Sequence, residues 1–153
     1  MVRKALILSA LAAAGALLFA YVLQYGFGLE PCHLCWLQRY PYFAIIPVAL
    51  IAAMAGWWRF GLVAVFMLFI TDASIAWFHG GVEAGIFALP EGCSSSVTAL
   101  TVDELRAQLA SAPPTCDQVA FSFAGLSLSV WNAIFASAMS LVAAAALIRS
   151  FRS

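Results

Sequence analysis

The chain has 153 residues, of which 65% are hydrophobic and only 9% charged, with no net charge. Soluble domains run at roughly 45–50% apolar and about 25% charged, so this composition excludes a soluble globular fold and marks an integral membrane protein. No basic stretch is long enough to hold nucleic acid, which excludes that class of partner.

The first apolar stretch covers about residues 5–27 and follows Arg3 and Lys4. A cleaved signal peptide is the rival reading. The stretch exceeds the roughly 7–15 residues of a signal core, and bulky Phe19, Tyr21 and Tyr25 stand where small residues would mark cleavage. It is read as a span. The second span covers about 34–58 and contains Pro41 and Pro47, which membrane helices tolerate when neighbours satisfy the freed backbone groups. Trp57, Trp58 and Arg59 mark its far interface. A very short turn leads to the third span, about 60–78, closed by Trp77 and His79.

A polar segment follows, about 79–124, punctuated by Gly80-Gly81, Pro90, Gly92 and Pro113-Pro114. Within it, Thr101 and Glu104 form a capping-box pattern. Val102, Leu105 and Leu109 recur on one face of the helix that would follow. This short amphipathic helix either lies on the membrane surface or packs inside the loop. The fourth span covers about 126–148 and ends in a basic tail, Arg149 to Ser153. The expected fold is an all-α membrane protein, one domain over residues 1–153. It is a four-transmembrane-helix bundle with a short amphipathic helix in the second outer loop.

An even number of spans puts both termini on one side. That side carries Arg3, Lys4, Arg59, Arg149 and Arg152 and no acid. The other carries Arg39 and Arg106 against Glu30, Glu83, Glu91, Asp103, Glu104 and Asp117. The positive-inside rule puts the termini in the cytoplasm. All four cysteines then face outward, in a bacterium the oxidising periplasm.

Cys32 and Cys35 form a Cys-x-x-Cys at the start of the second span, where free amide groups favour thiolate over thiol. If the helix starts near His33, Arg39 lies one turn beyond Cys35 on the same face, a positive charge beside the sulfur. The alternative for Arg39 is a snorkelling interfacial arginine. Cys93 and Cys116 lie in the outer loop; a disulfide between them would close a loop of about 24 residues and contribute roughly 3–3.5 kcal/mol through chain entropy. A structural staple is the plainer reading of that pair, and an electron relay between two unlike pairs is the sharper one. A metal site from Cys32, Cys35 and His33 or His79 lacks the second matching pair usual for zinc, and no metal is expected. Asp72 lies inside the third span, where an acid costs roughly 2.5–3.5 kcal/mol on insertion scales. A hydrogen bond to Ser or Thr on a neighbouring helix is its simpler explanation, a proton path with His79 the other. His79 and Glu83 either support structure near the site or anchor the interface.

The run Glu30-Pro31-Cys32-His33-Leu34-Cys35-Trp36-Leu37-Gln38-Arg39 resembles the signature of the DsbB family, quinone-coupled disulfide-generating proteins of bacterial inner membranes. His79-Gly80-Gly81-Val82-Glu83, the later cysteine pair, and Gly125-Leu126-Ser127-Leu128-Ser129-Val130-Trp131-Asn132 extend the resemblance over nearly the whole chain. The resemblance implies that Cys93 is attacked by a reduced DsbA-like thioredoxin-fold partner. Cys116 would then exchange with Cys32, freeing Cys35 beside a quinone, more specifically ubiquinone, that Arg39 and His79 help to bind. Electrons would leave to the quinone pool of the inner membrane. A vitamin K epoxide reductase-like enzyme shares this chemistry, but its loop pattern differs and Gln38-Arg39 counts against it. From another class, a structural membrane protein with stapled outer loops accounts for the cysteines without turnover.

Overall fold

The computed structural model describes residues 2–93, 101–111 and 114–152. It is a bundle of four long helices, each long and apolar enough to cross a membrane. Helix α1 (Val2–Tyr21) continues as one wide turn, Val22–Gly26. The other spanning helices are α2 (His33–Ala55), α3 (Trp58–Glu83) and α5 (Leu128–Arg152). The short α4 (Val102–Ser111) lies in the loop between α3 and α5, beginning at the capping box. Thr101 Oγ1 accepts from the Glu104 N–H, and Glu104 Oε2 accepts from the Thr101 N–H, both at 3.2 Å. Val102, 66% exposed, and Leu105 remain open to the surroundings; the side chain of Leu109 and Pro113 lie outside the described residues.

The core combines a few large side chains, among them Phe69, Leu6, Ile45 and Leu62, with many small ones. The interior is built largely from small residues, among them Ala10, Ala13, Ala49, Ala52, Ala73, Ala133, Ala136 and Ala143. Large apolar side chains such as Leu11, Leu18, Ile51, Phe60, Met67 and Leu141 point outward. In lipid, apolar side chains gain nothing by leaving the surroundings for the interior, so close backbone packing over small residues holds helices together. Gly61 is the sharpest instance: a Cβ there would sit 2.3 Å from Ala52 Cβ across the α2–α3 contact.

The helices pack in the ring order α1, α2, α3, α5, with α3 and α5 in the most extensive contact and α5 meeting α1 only sparsely. Arg59 is tied to α5 by a 2.8 Å bond to the Ser150 carbonyl and lies over the Phe151 ring.

Three boundaries differ from the sequence reading. Helix α2 ends at Ala55, because Gly56 takes a left-handed φ of 76° that terminates it. Helix α3 runs through Gly80-Gly81 to Glu83. These glycines do not break it but let neighbours approach, since a Cβ on Gly80 would meet Val130 at 2.9 Å and one on Gly81 would meet the Phe87 ring at 2.3 Å. Leu126 and Ser127 are not helical: they pair with Ser122 and Phe123 in a two-stranded hairpin, β1 (Ser122–Phe123) and β2 (Leu126–Ser127). Ala124 and Gly125 both have positive φ, as a tight two-residue hairpin turn requires. Trp131 Nε1 donates to the Phe123 carbonyl at 2.9 Å and ties the hairpin to α5.

Gly61→Ala should separate α2 from α3 and lower stability by about 1–3 kcal/mol, seen as a lower Tm in detergent. Gly15→Ala, where a Cβ meets nothing within 4 Å, is the matched control and should not lower it.

Candidate functional site

Pro31 leads the chain into α2, and Cys32 is the N-cap, with extended φ and ψ of −70° and 175°. In that position its sulfur accepts a hydrogen bond from the Cys35 N–H at 3.4 Å. One turn of helix brings the Cys35 sulfur to 3.1 Å from that of Cys32. Both are free thiols, Cys32 buried and Cys35 half-buried. A disulfide bond is about 2.0 Å long, so little more than side-chain rotation separates the two states. The hydrogen bond from Cys35 holds the Cys32 thiol well below its ordinary value of 9.0; His79 and the Cys35 N–H act in the same direction, and burial opposes them.

His79 comes from α3, with Nε2 3.6 Å from the Cys32 sulfur. The same nitrogen lies 3.7 Å from Glu83 Oε1, one turn further on. Glu83 Oε2 accepts the hydroxyls of Ser127 and Ser129, so the hairpin end and the first turn of α5 hold the acid in place. The other ring nitrogen, Nδ1, is 2.8 Å from Gln38 Nε2. Gln38 Oε1 in turn accepts from Asn132 Nδ2 at 2.8 Å. Asn132 Nδ2 also donates to Asp72 Oδ2 at 3.0 Å, and Asn132 Oδ1 accepts from the Tyr42 hydroxyl at 2.6 Å. A continuous polar chain thus crosses the bundle from Cys32 to Asp72.

Arg39 is buried, 7% exposed, so it is not a snorkelling side chain. Its guanidinium donates to Gln24 Oε1 at 2.7 Å and lies over the Tyr21 and Trp36 rings, 4.8 and 4.5 Å from their centroids. Its charge is therefore anchored toward α1, and the groups that touch the Cys32 sulfur are Cys35 and His79.

These residues gather at one cavity of about 600 Å³. Cys32, Cys35, Gln38, Arg39, His79 and Glu83 line it together with Tyr42 and Asn132. The α1 wall is almost wholly apolar and small, with Ala12, Gly15, Ala16 and Ala20. The sparse contact between α1 and α5 is where this space lies. An apolar slot with a few convergent polar groups suits a flat, lipid-soluble ring with polar substituents.

Cys93 and Cys116 form a disulfide with Cα atoms 5.3 Å apart. Both sulfurs are buried, and they pack in one cluster with Cys32, Leu34 and Val82. The structure thus brings Cys32, Cys35, Arg39 and His79 to one cavity and sets Cys93–Cys116 beside it. Sequence reasoning missed the parts played by Gln24, Tyr42 and Asn132, and the pairing of Gln38 with His79. Asp72 finds its partner in Asn132 rather than in Ser or Thr. The available signal was polarity within apolar spans, which marks such residues without naming their partners.

The family described as "Disulfide bond formation protein DsbB" matches residues 2–146. The chain belongs to the DsbB family. A disulfide bond formation protein B from Marinobacter nauticus is 30% identical over 149 residues, covering 92% of this chain and 89% of the relative. An uncharacterized protein from Rickettsia prowazekii is 28% identical over 122 residues, 76% of this chain and 71% of the relative. A disulfide bond formation protein B from Aromatoleum aromaticum is 49% identical over 43 residues, 28% of this chain and 26% of the relative. DsbB membership implies an oxidoreductase of disulfide bond formation, in a family that resides in the inner membrane and generally uses quinone.

In this DsbB-family chain the lowered Cys32 value has a pH consequence. Reduced protein should keep its Cys32 thiolate as pH falls below 9.0 and lose it only on passing through the lowered folded value. The stability that this ionisation adds to the reduced protein is complete above the unfolded value and lost over the same acid window. Thiolate ultraviolet absorbance, taken as the difference between reduced protein and Cys32→Ser, measures it. A transition centred near 9.0 would contradict the assignment.

Proposed function

We propose that this chain is a thiol:quinone oxidoreductase that reoxidises a DsbA-like periplasmic thioredoxin-fold protein and passes its electrons to quinone, ubiquinone in preference to menaquinone. In this reading residues 1–153 form a single four-span unit of the bacterial inner membrane. Both termini are cytoplasmic and the cysteines periplasmic, as the distribution of basic residues favours. The observation that carries the reading is the convergence of a close Cys32/Cys35 pair, His79 and Arg39 on one apolar cavity, with a second cysteine pair packed beside them.

The exchange sequence balances on the chain's own sulfurs. A partner thiolate attacks Cys93, the Cys93–Cys116 bond breaks, and Cys116 leaves as thiolate. The partner's second thiol then resolves the mixed disulfide, and the partner departs oxidised. Cys116 attacks Cys32 of the Cys32–Cys35 disulfide and releases Cys35. Cys93 then attacks Cys116, which restores Cys93–Cys116 and leaves Cys32 and Cys35 reduced. The oxidation states seen here, Cys93–Cys116 bonded and Cys32/Cys35 free, correspond to the end of this sequence. The quinone supplies a two-electron, two-proton acceptor, which returns Cys32/Cys35 to the disulfide. Arg39 and His79 would face its polar end, and the Ala12–Ala20 side of α1 its apolar body.

The acceptor answers an energetic need. A DsbA-type protein sits at about −120 mV against about −270 mV for thioredoxin. If Cys32/Cys35 lies near thioredoxin, oxidising the partner is uphill by about 150 mV, or roughly 7 kcal/mol for two electrons. Removal of electrons to a respiratory acceptor offsets that gap.

The test is quinone reduction by purified protein in detergent with reduced DsbA-type partner as donor. Quinol should form catalytically, and Cys35→Ser should abolish it. Absence of turnover with both ubiquinone and menaquinone analogues, in folded protein with its disulfides formed, would favour the stapled structural reading instead. Gly15 lines the cavity, so Gly15→Leu should obstruct it and raise the quinone KM by about tenfold, equivalent to ~1.4 kcal/mol of lost binding. The KM for the thiol partner should stay unchanged.

A further inference from the structure

The polar chain across the bundle has a direction. Asn132 Nδ2 donates to Asp72 Oδ2 and to Gln38 Oε1. With its oxygen occupied, Gln38 turns its amide nitrogen to His79 Nδ1. An amide nitrogen only donates, so Nδ1 must accept and the ring proton must reside on Nε2. At Nε2 the neighbours agree, because Glu83 Oε1 and the Cys32 sulfur both accept.

Most members of this chain are reversible. The Asn132 and Gln38 amides can turn over, and the Tyr42 hydroxyl both donates and accepts. An ionised carboxyl group only accepts, whereas the protonated acid also donates. In its ionised form Asp72, 0% exposed, is the member beyond Gln38 that cannot reverse. We propose that Asp72, which touches none of the reacting groups, is a positioning residue: through Asn132 and Gln38 it holds His79 with Nδ1 accepting and a proton on Nε2, aimed at the Cys32 sulfur.

The groups that face His79 are few. Helix α2 and its N-cap contribute Cys32, Cys35 and Gln38, and α3 contributes Glu83. Helix α5 acts through Asn132 on Gln38 and through Ser129 on Glu83. Helix α1 adds only apolar side chains to the cavity. The arrangement supplies a fixed donor to the Cys32 sulfur and sets the Gln38 amide against Nδ1. It also bears on metal binding. Cys32, Cys35 and His79 offer ligand atoms within 4.8 Å of one another, but a proton on Nε2 occupies the lone pair that a metal would need.

The tautomer itself is a property of the thiol site; only its effect on turnover rests on the thiol:quinone reading. The test therefore reads the ring directly, without quinone or partner. The chain has two histidines, so protein labelled with nitrogen-15 histidine gives two sets of ring signals, and His33→Gln assigns them. In reduced protein, His79 should show an unprotonated Nδ1 and a protonated Nε2. Gln38→Glu replaces the donor at Nδ1 by an acceptor and should make Nδ1 protonated. Asp72→Leu frees Asn132 and Gln38 to turn over and should likewise populate a protonated Nδ1. In the turnover assay Asp72→Leu should lower kcat roughly 10- to 100-fold, the loss of one charge-assisted hydrogen bond, with the partner's KM unmoved.

A wild-type ring protonated on Nδ1, or a Gln38→Glu spectrum identical to wild type, overturns the directional chain. A folded Asp72→Leu protein with the wild-type ring pattern overturns the role of Asp72. If Asp72→Leu does not fold, Asn132→Leu cuts the same link between Asp72 and Gln38 and is read by the same two outcomes. Failure of quinone turnover with the expected ring pattern would count against the thiol:quinone reading and leave the positioning intact.

Discussion

A polar side chain inside an apolar bundle has no water to fall back on, and the bond between Asp72 and Asn132 is where this constraint is felt most strongly. Asp72 belongs to α3, Asn132 to α5, and the two helices form the most extensive contact in the bundle. Once Asp72 holds the Asn132 amide, the orientation of Gln38 follows, and from Gln38 the proton position on His79. A carboxylate seven residues before His79 on the same helix thus reaches the sulfur chemistry through Asn132 and Gln38, by hydrogen-bond direction. Its other oxygen, Oδ1, has no hydrogen-bond partner among the described residues.

The cavity results from the same economy of size that builds the bundle. Small residues let α2 and α3 approach closely at Gly61 and Ala52, and α3 and α5 at Gly80 and Val130. On α1, small residues face space instead of a neighbouring backbone, because α5 does not close against it. Ala12, Gly15, Ala16 and Ala20 therefore line a volume rather than a contact. The polar chain lies at the far wall of that volume, and Arg39 is held by Gln24 and Tyr21 from the first span and by Trp36 of its own helix. Arg39 and Cys35 line the same cavity.

The two cysteine pairs differ in how they are held. Cys32 and Cys35 are set by a helix start, where the N-cap Cys32 sulfur accepts from the Cys35 N–H. Cys93 and Cys116 are set by a disulfide across a long loop and by burial against Val82 and Leu34. Helix α3 continues through Gly80 and Gly81 to Glu83, one turn beyond His79, and the glycines leave room for Val130 and Phe87. The hairpin before α5 then delivers Ser127 and Ser129 to Glu83. Segments far apart in sequence thereby meet around one pair of thiols.

The sequence by itself determined the class of protein, the number of spans and the place of the reactive pair. These depend on local quantities: runs of apolar residues, the Thr101–Glu104 capping box, and the Cys32–Cys35 spacing. Only the tertiary structure decided which polar residues meet. Gln38 and His79 are 41 residues apart, Asp72 and Asn132 60, and Gln38 and Asn132 94. Such partners depend on how each helix is rotated and how deep it sits, which a pattern within one helix does not encode. For the same reason the glycines after His79 read as a helix end but serve as contact points. Asp72 could be seen from its sequence as an expensive residue in a span; that its expense orients a histidine beside a thiol is a fact of packing.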